Sequence, residues 1–132
     1  MDLGIAGRRA AVAAASAGLG LAVADALLGA AALGDLGQHF PDTARETAGI
    51  EGRALLRDVV AKVALAGFVP TSVDATVICD RPAIDPRRAE MREELASCLR
   101  IGADRVSVKA TRPEGLGLAG DGVGCLAIAV IA

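Results

Sequence analysis

The sequence predicts a single domain of the α+β class over residues 1–132, and three observations lead there. Residues 51–66 set Leu55, Leu56, Val59, Val60 and Val63 on one helical face and Arg53, Arg57, Asp58 and Lys62 on the other, which is the pattern of a surface helix packed along one side. Residues 73–79 read Val-Asp-Ala-Thr-Val-Ile-Cys, a run rich in β-branched side chains that suits a strand. Two more strand patterns close the chain, one alternating at 105–110 and one apolar on both faces at 122–131, the latter suited to full burial.

Taken in order, residues 8–15 form a short apolar run that fits a buried strand. Ser16-Ala17-Gly18-Leu19-Gly20 is a small-residue turn opening a helix that lasts to about Gly34. Pro41 and Asp42 mark a turn, and Gly67 is placed to stop the 51–66 helix. Asp85 is a candidate N-cap with Pro86 at the first helical position, beginning a helix that runs to about Arg100 and ends at Gly102. The predicted order is β-α-α-β-α-β-β. No internal repeat, low-complexity tract or linker interrupts it, although composition shifts at Asp25 from Ala/Gly-rich to mixed.

At this length a compact domain buries roughly two thirds of its unfolded surface, and no second independent core fits. Charged residues make up 23% of the chain with a formal net charge of −2 and both signs interspersed, which leaves no electrostatic footprint for nucleic acid or an anionic membrane. The only aromatics are Phe40 and Phe68, too few to stack bases, so the core must be aliphatic. Three cysteines, Cys79, Cys98 and Cys125, form an odd set without CxxC spacing and read as reduced core thiols of a cytoplasmic protein. Arg8-Arg9 ahead of an Ala-rich run, with Ala22-Val23-Ala24 behind it, permits a secretory reading; the run is too weakly apolar to favour it, and Asp25 cuts it too short to span a membrane.

The block Asp25-Ala-Leu-Leu-Gly-Ala-Ala-Ala-Leu-Gly-Asp-Leu-Gly-Gln-His-Phe-Pro-Asp-Thr43 resembles the 2-C-methyl-D-erythritol 2,4-cyclodiphosphate synthases, and the likeness continues to about Ile131. The resemblance implies a mixed sheet backed by helices, a homotrimer with ligand sites between subunits, and a cytidine diphosphate-type substrate. The implied reaction belongs to the non-mevalonate isoprenoid pathway: the substrate's own phosphate attacks its β-phosphorus, closing a cyclic diphosphate and releasing CMP. Asp35 and Gly37 match positions that hold the ribose and backbone end of the substrate, and Phe40, Pro41, Asp42 and Thr43 match the loop around its erythritol part. A carboxylate accepts bonds from sugar hydroxyls, and a glycine lets backbone N–H groups come close. Taken singly, the same residues are explained by a capped helix end and a turn.

Pro82, in Cys79-Asp80-Arg81-Pro82, matches the loop enclosing the cytosine. Thr111 and Glu114, in Val108-Lys-Ala-Thr-Arg-Pro-Glu-Gly-Leu-Gly117, match a segment whose glutamate binds Mg²⁺ or Mn²⁺ bridging the phosphates.

Several positions depart from the family pattern. The resemblance implies a zinc site made by an Asp-x-His pair near the N-terminus and a histidine in the first helix; Leu21 stands at the helix position, and His39 is the chain's only histidine. Three protein ligands are therefore not available to such a site. Arg112 stands in place of a threonine, Asp121 in place of an arginine facing diphosphate, and Leu118 in place of a phenylalanine. Residues 1–24 instead resemble the strand, glycine turn and helix that open a short-chain dehydrogenase, although Ala14 occupies the first glycine position and the chain has no tyrosine for that family's catalytic pair. The expectation is a synthase body with its N-terminal hairpin replaced by one strand and a turn, impaired in turnover. The alternative is an inactive, hybrid or truncated relative acting as a nucleotide-binding or structural module.

Overall fold

The computed structural model describes residues 5–41, 52–79, 84–114 and 123–132. In chain order the elements are α1 (Ile5–Ala30), α2 (Leu36–His39), α3 (Gly52–Leu65), β1 (Pro70–Ile78), α4 (Asp85–Leu99), a 3₁₀ turn (Ala103–Arg105), β2 (Val106–Thr111) and β3 (Gly124–Ile131). Among the described residues, three strands form one mixed sheet in the order β2-β1-β3, with β1 parallel to β2 through the α4 crossover and antiparallel to β3. Helices back one face of it: α1 lies over β3 and β1, α4 over β2, and α3 packs outside against α1 and α4. The expected α+β class, a mixed sheet backed by helices, is the one observed.

The predicted N-terminal strand and turn are not formed; residues 8–20 belong to the 26-residue helix α1. The physical reason lies in composition and in close packing. Alanine, the strongest helix former, dominates residues 10–15, where Val12 is the one β-branched residue. Gly18 and Gly20 do not bend the chain; they let other elements come close. A Cβ on Gly18 would stand 2.8 Å from Cys125 Sγ of β3, and one on Gly20 would stand 3.2 Å from the Gly52 carbonyl oxygen of α3.

The end of α1 also falls earlier than Gly34. Ala32 takes a left-handed conformation at φ 57°, with Leu33 N–H donating to the Leu28 carbonyl (2.9 Å) and Ala32 N–H to that of Gly29 (3.0 Å), a Schellman closure built on alanine. The stop at Gly67 is as expected: φ is +95°, and Phe68 N–H donates to Val63 O at 3.1 Å. At α4 the expected cap is replaced. Ile84 holds the N-cap position, Asp85 pairs with Arg88 one turn on, and Arg100, at φ 59°, ends the helix before Gly102 is reached.

The core is aliphatic throughout: Leu19, Val23, Leu27 and Leu28 of α1 meet Leu56, Val59 and Val63 of α3 and Val73, Ala75 and Val77 of β1. β3 departs from the predicted full burial. Its Cys125, Ala127, Ala129 and Ile131 turn toward the helices, whereas Leu126, Ile128 and Val130 are 61%, 64% and 52% exposed on the open face of the sheet. An apolar strand becomes fully buried only when both faces are covered, and this strand is at a sheet edge with helices on one side.

Candidate functional site

The sequence block at Asp35 folds as a tight turn below the end of α1. Gly34, at φ +94°, takes a backbone conformation that side chains disfavour, and a Cβ there would also displace Oε1 of the Gln38 amide. That glutamine oxygen accepts from Asp35 N–H (2.9 Å), and Asp35 Oδ1 accepts from Gln38 N–H (2.9 Å), a capping box that opens the single turn α2. One carboxylate oxygen of Asp35 is thus committed locally, and the residue is exposed. A second carboxylate holds the turn from outside: Asp25 Oδ1 on α1 accepts from Leu36 N–H at 2.9 Å.

At the other end of the turn, His39 Nε2 lies 2.8 Å from Leu33 O, and Lys62 Nζ of α3 lies 3.2 Å from His39 Nδ1 and 5.2 Å from the centroid of the Phe40 ring. Phe40 is half-buried against the core, Gly37 is exposed with no close neighbour demanding a glycine, and Pro41 is exposed. Asp42, Thr43 and Pro82 lie outside the described residues. So do Leu118 and Asp121.

Thr111 and Glu114 stand apart from this turn, where β1 and β2 end. Thr111 closes β2 beside Ile78, its carbonyl accepting from Cys79 N–H at 3.1 Å, and Glu114 follows in an exposed turn at φ 53°. This end of the sheet is where β3 begins, against Ala15 and Gly18 of α1. Asp25, which holds the α2 turn, is about 10 Å of helix rise beyond Gly18, and Lys62 is about 15 Å beyond Gly52 in the neighbouring helix. Among the described residues no hydrogen bond or ion pair joins the 35–41 turn to Thr111 or Glu114. The structure therefore brings Asp35, Gly37, Phe40 and Pro41 together and leaves Thr111 and Glu114 apart from them.

Leu21 is half-buried on α1, and an isobutyl side chain offers a metal nothing. Both nitrogens of His39 are occupied by Leu33 and Lys62, and among the described residues no group of three or more His, Cys, Asp or Glu gathers in metal-binding range. A zinc ion of the kind the resemblance implies does not fit the side chains described. A harder cation needs less, since the exposed Glu114 carboxylate can give Mg²⁺ or Mn²⁺ one oxygen if phosphates supply others.

No disulfide joins Cys79, Cys98 and Cys125. Burial, with Cys79 nearby, pushes the Cys125 thiol up to about 11; burial also raises Cys98, against the opposing pull of Arg57 and Arg53. Both thiols are poor nucleophiles and poor metal ligands at neutral pH.

A family model, the YgbB family, matches residues 3–132. The chain belongs to the YgbB family. That match takes in residues 1–24 almost entirely, so the opening helix falls within the family's extent, and the dehydrogenase-like reading keeps neither its strand nor its turn. The chain is 50% identical over 110 residues to the 2-C-methyl-D-erythritol 2,4-cyclodiphosphate synthase of Psychrobacter cryohalolentis, covering 83% of this chain and 66% of that one. It is 56% identical over 99 residues to the synthase of Salinibacter ruber, covering 75% of this chain and 63% of that one. It thus spans slightly under two thirds of the length of these relatives. Among solved structures, a 2C-methyl-D-erythritol-2,4-cyclodiphosphate synthase in a CDP-bound form superposes with a TM-score of 0.73 at 29% identity, covering 86% of this chain and 74% of that one.

Sequence reasoning missed Asp25 and Lys62 as supports of the Asp35 turn. The Asp-x-x-Gln spacing of the capping box was readable; the reach of Lys62 from another helix was not.

Proposed function

We propose that this YgbB-family chain carries the cytidine-nucleotide framework of a cyclodiphosphate synthase, with the ligand site completed between copies of a homotrimer. The observation that carries the reading is the 50–56% identity to two relatives bearing that name, joined to a fold shared with a CDP-bound structure. In this reading Asp35 and Gly37 meet the ribose end of the substrate, Phe40 to Thr43 line its erythritol part, Pro82 shapes the cytosine loop, and Thr111 and Glu114 face the phosphates. The separation of the two groups within one chain supports a composite site, since a second copy can bring its Thr111–Glu114 end to the first copy's Asp35 turn. The exposed Leu126, Ile128 and Val130 supply an apolar face for that association.

The reaction is an intramolecular attack of phosphate on the β-phosphorus with CMP as leaving group. A divalent cation at Glu114 would offset the charge that develops on the phosphates. The side chains described bind and orient the nucleotide, and turnover is impaired because Leu21 and the engaged His39 leave the zinc set unfilled. That same observation favours a second reading, in which the chain is a nucleotide-binding or structural module of the family without catalysis.

Calorimetric titration of CDP, with and without Mg²⁺ and Zn²⁺ and with metal content assayed on the same sample, tests the proposal. Micromolar binding strengthened by Mg²⁺ is expected. No binding under any metal condition overturns it.

A further inference from the structure

We propose that Lys62 and His39 are positioning residues for the candidate ligand turn, fixing the Asp35–Phe40 segment from the neighbouring helix. The inference rests on the nucleotide reading above and adds to it two residues to which the resemblance assigned no role.

A four-residue helix with no fully buried side chain, only Leu36 and the following Phe40 packed partly against the core, is weakly held by its own residues. Something outside it must fix its orientation. Asp25 holds the start of the turn through Leu36 N–H, and its far end is held by a chain of contacts that runs through one imidazole. The Leu33 carbonyl only accepts and the Lys62 ammonium only donates, so both distances are satisfied by a single form of His39, the neutral ring with its hydrogen on Nε2. Nε2–H then donates to Leu33 O, and Nδ1 accepts from Lys62. The same ammonium stands over the Phe40 ring, so one cation sets the plane of the imidazole and the position of the phenyl at the mouth of the turn. Among the described residues, this is the sole polar link between the turn and α3. Lys62 is itself half-buried, late in a helix whose neighbouring Val59 and Val63 are fully buried in the core, so its backbone is held by packing on the adjoining positions.

The test uses the whole chain. CDP is titrated by calorimetry into the wild type, Lys62→Met and Lys62→Arg, and the ring nitrogens of His39, the chain's only histidine, are read by ¹⁵N NMR. Lys62→Met keeps the aliphatic stem and removes the donor and the charge. The wild type is expected to show the Nε2–H tautomer. Lys62→Met should lose that single signature and bind CDP about three- to tenfold more weakly, the range of one hydrogen bond; Lys62→Arg should restore both. Thermal unfolding of all three confirms that the fold is kept. If the wild type binds CDP and Lys62→Met binds equally well, or if His39 carries its hydrogen on Nδ1, the positioning role is overturned while the nucleotide reading stands. If the wild type does not bind CDP, both are overturned.

Discussion

Replacing Leu19 by alanine tests the point on which sequence and structure differ most. If residues 16–20 were a turn, Leu19 would be a loop side chain and its loss would matter little. In the structure it is on the buried stripe of α1 with Ala15, Val23 and Leu27, and is 1% exposed. Truncation to alanine removes three carbons, about 2.4 kcal/mol at about 0.8 kcal/mol per buried methylene. A residual cavity of about 40 Å³ would add about 1 kcal/mol. The expected loss is therefore about 3 kcal/mol, a fall in Tm on the order of 10 °C for a chain of this size. Urea unfolding at fixed protein concentration measures it as a lowered midpoint at unchanged slope, with Leu65→Ala as the control, since Leu65 is 90% exposed. A loss below about 1 kcal/mol for Leu19→Ala would refute the helix assignment and the packing derived from it.

Three further outcomes are expected. Asp25→Ala, which removes the carboxylate accepting from Leu36 N–H, should cost about 1 kcal/mol of stability and weaken CDP binding in calorimetry, whereas a substitution at the exposed Arg87–Glu90 pair should do neither. Because burial makes Cys125 and Cys98 ionise less readily in the folded chain than a free thiol, stability from these thiols is intact below the free-thiol range and falls as pH rises through it, for Cys125 up to about 11, with unmasking of both thiols to alkylation; a stability flat across that window would contradict their burial. Ile128→Asp, placing a charge on the open face of β3, should convert the proposed trimer into a 13.2 kDa species in sedimentation velocity, and a wild type that already sediments as a monomer would sink that proposal.

Local chemistry made much of this chain legible from its residues. The 3.6-residue apolar period of α3, the glycine that ends it, the β-branched run of β1 and the alternation of β2 each depend on neighbours in sequence, so the sequence carries them. The Asp35 block was legible as both a family signature and a capped turn, and the structure contains the cap. The N-terminal glycines were not legible. A glycine that permits a turn and a glycine that permits close packing are the same letter, and only Cys125, more than 100 residues away, and Gly52 decided for a helix.

The same limit applied to β3 and to the candidate site. Its apolar residues announced a strand without saying which face would be covered, because coverage depends on where the helices dock. Lys62 was written as a charge on a helix's polar side, and only the docking of α3 beside α1 brought its ammonium to His39 and Phe40. The sequence by itself determined the elements from α3 onward, the family and the residue types offered to a ligand. The tertiary structure decided which of those residues meet, since contacts between distant segments are set by packing and not by spacing.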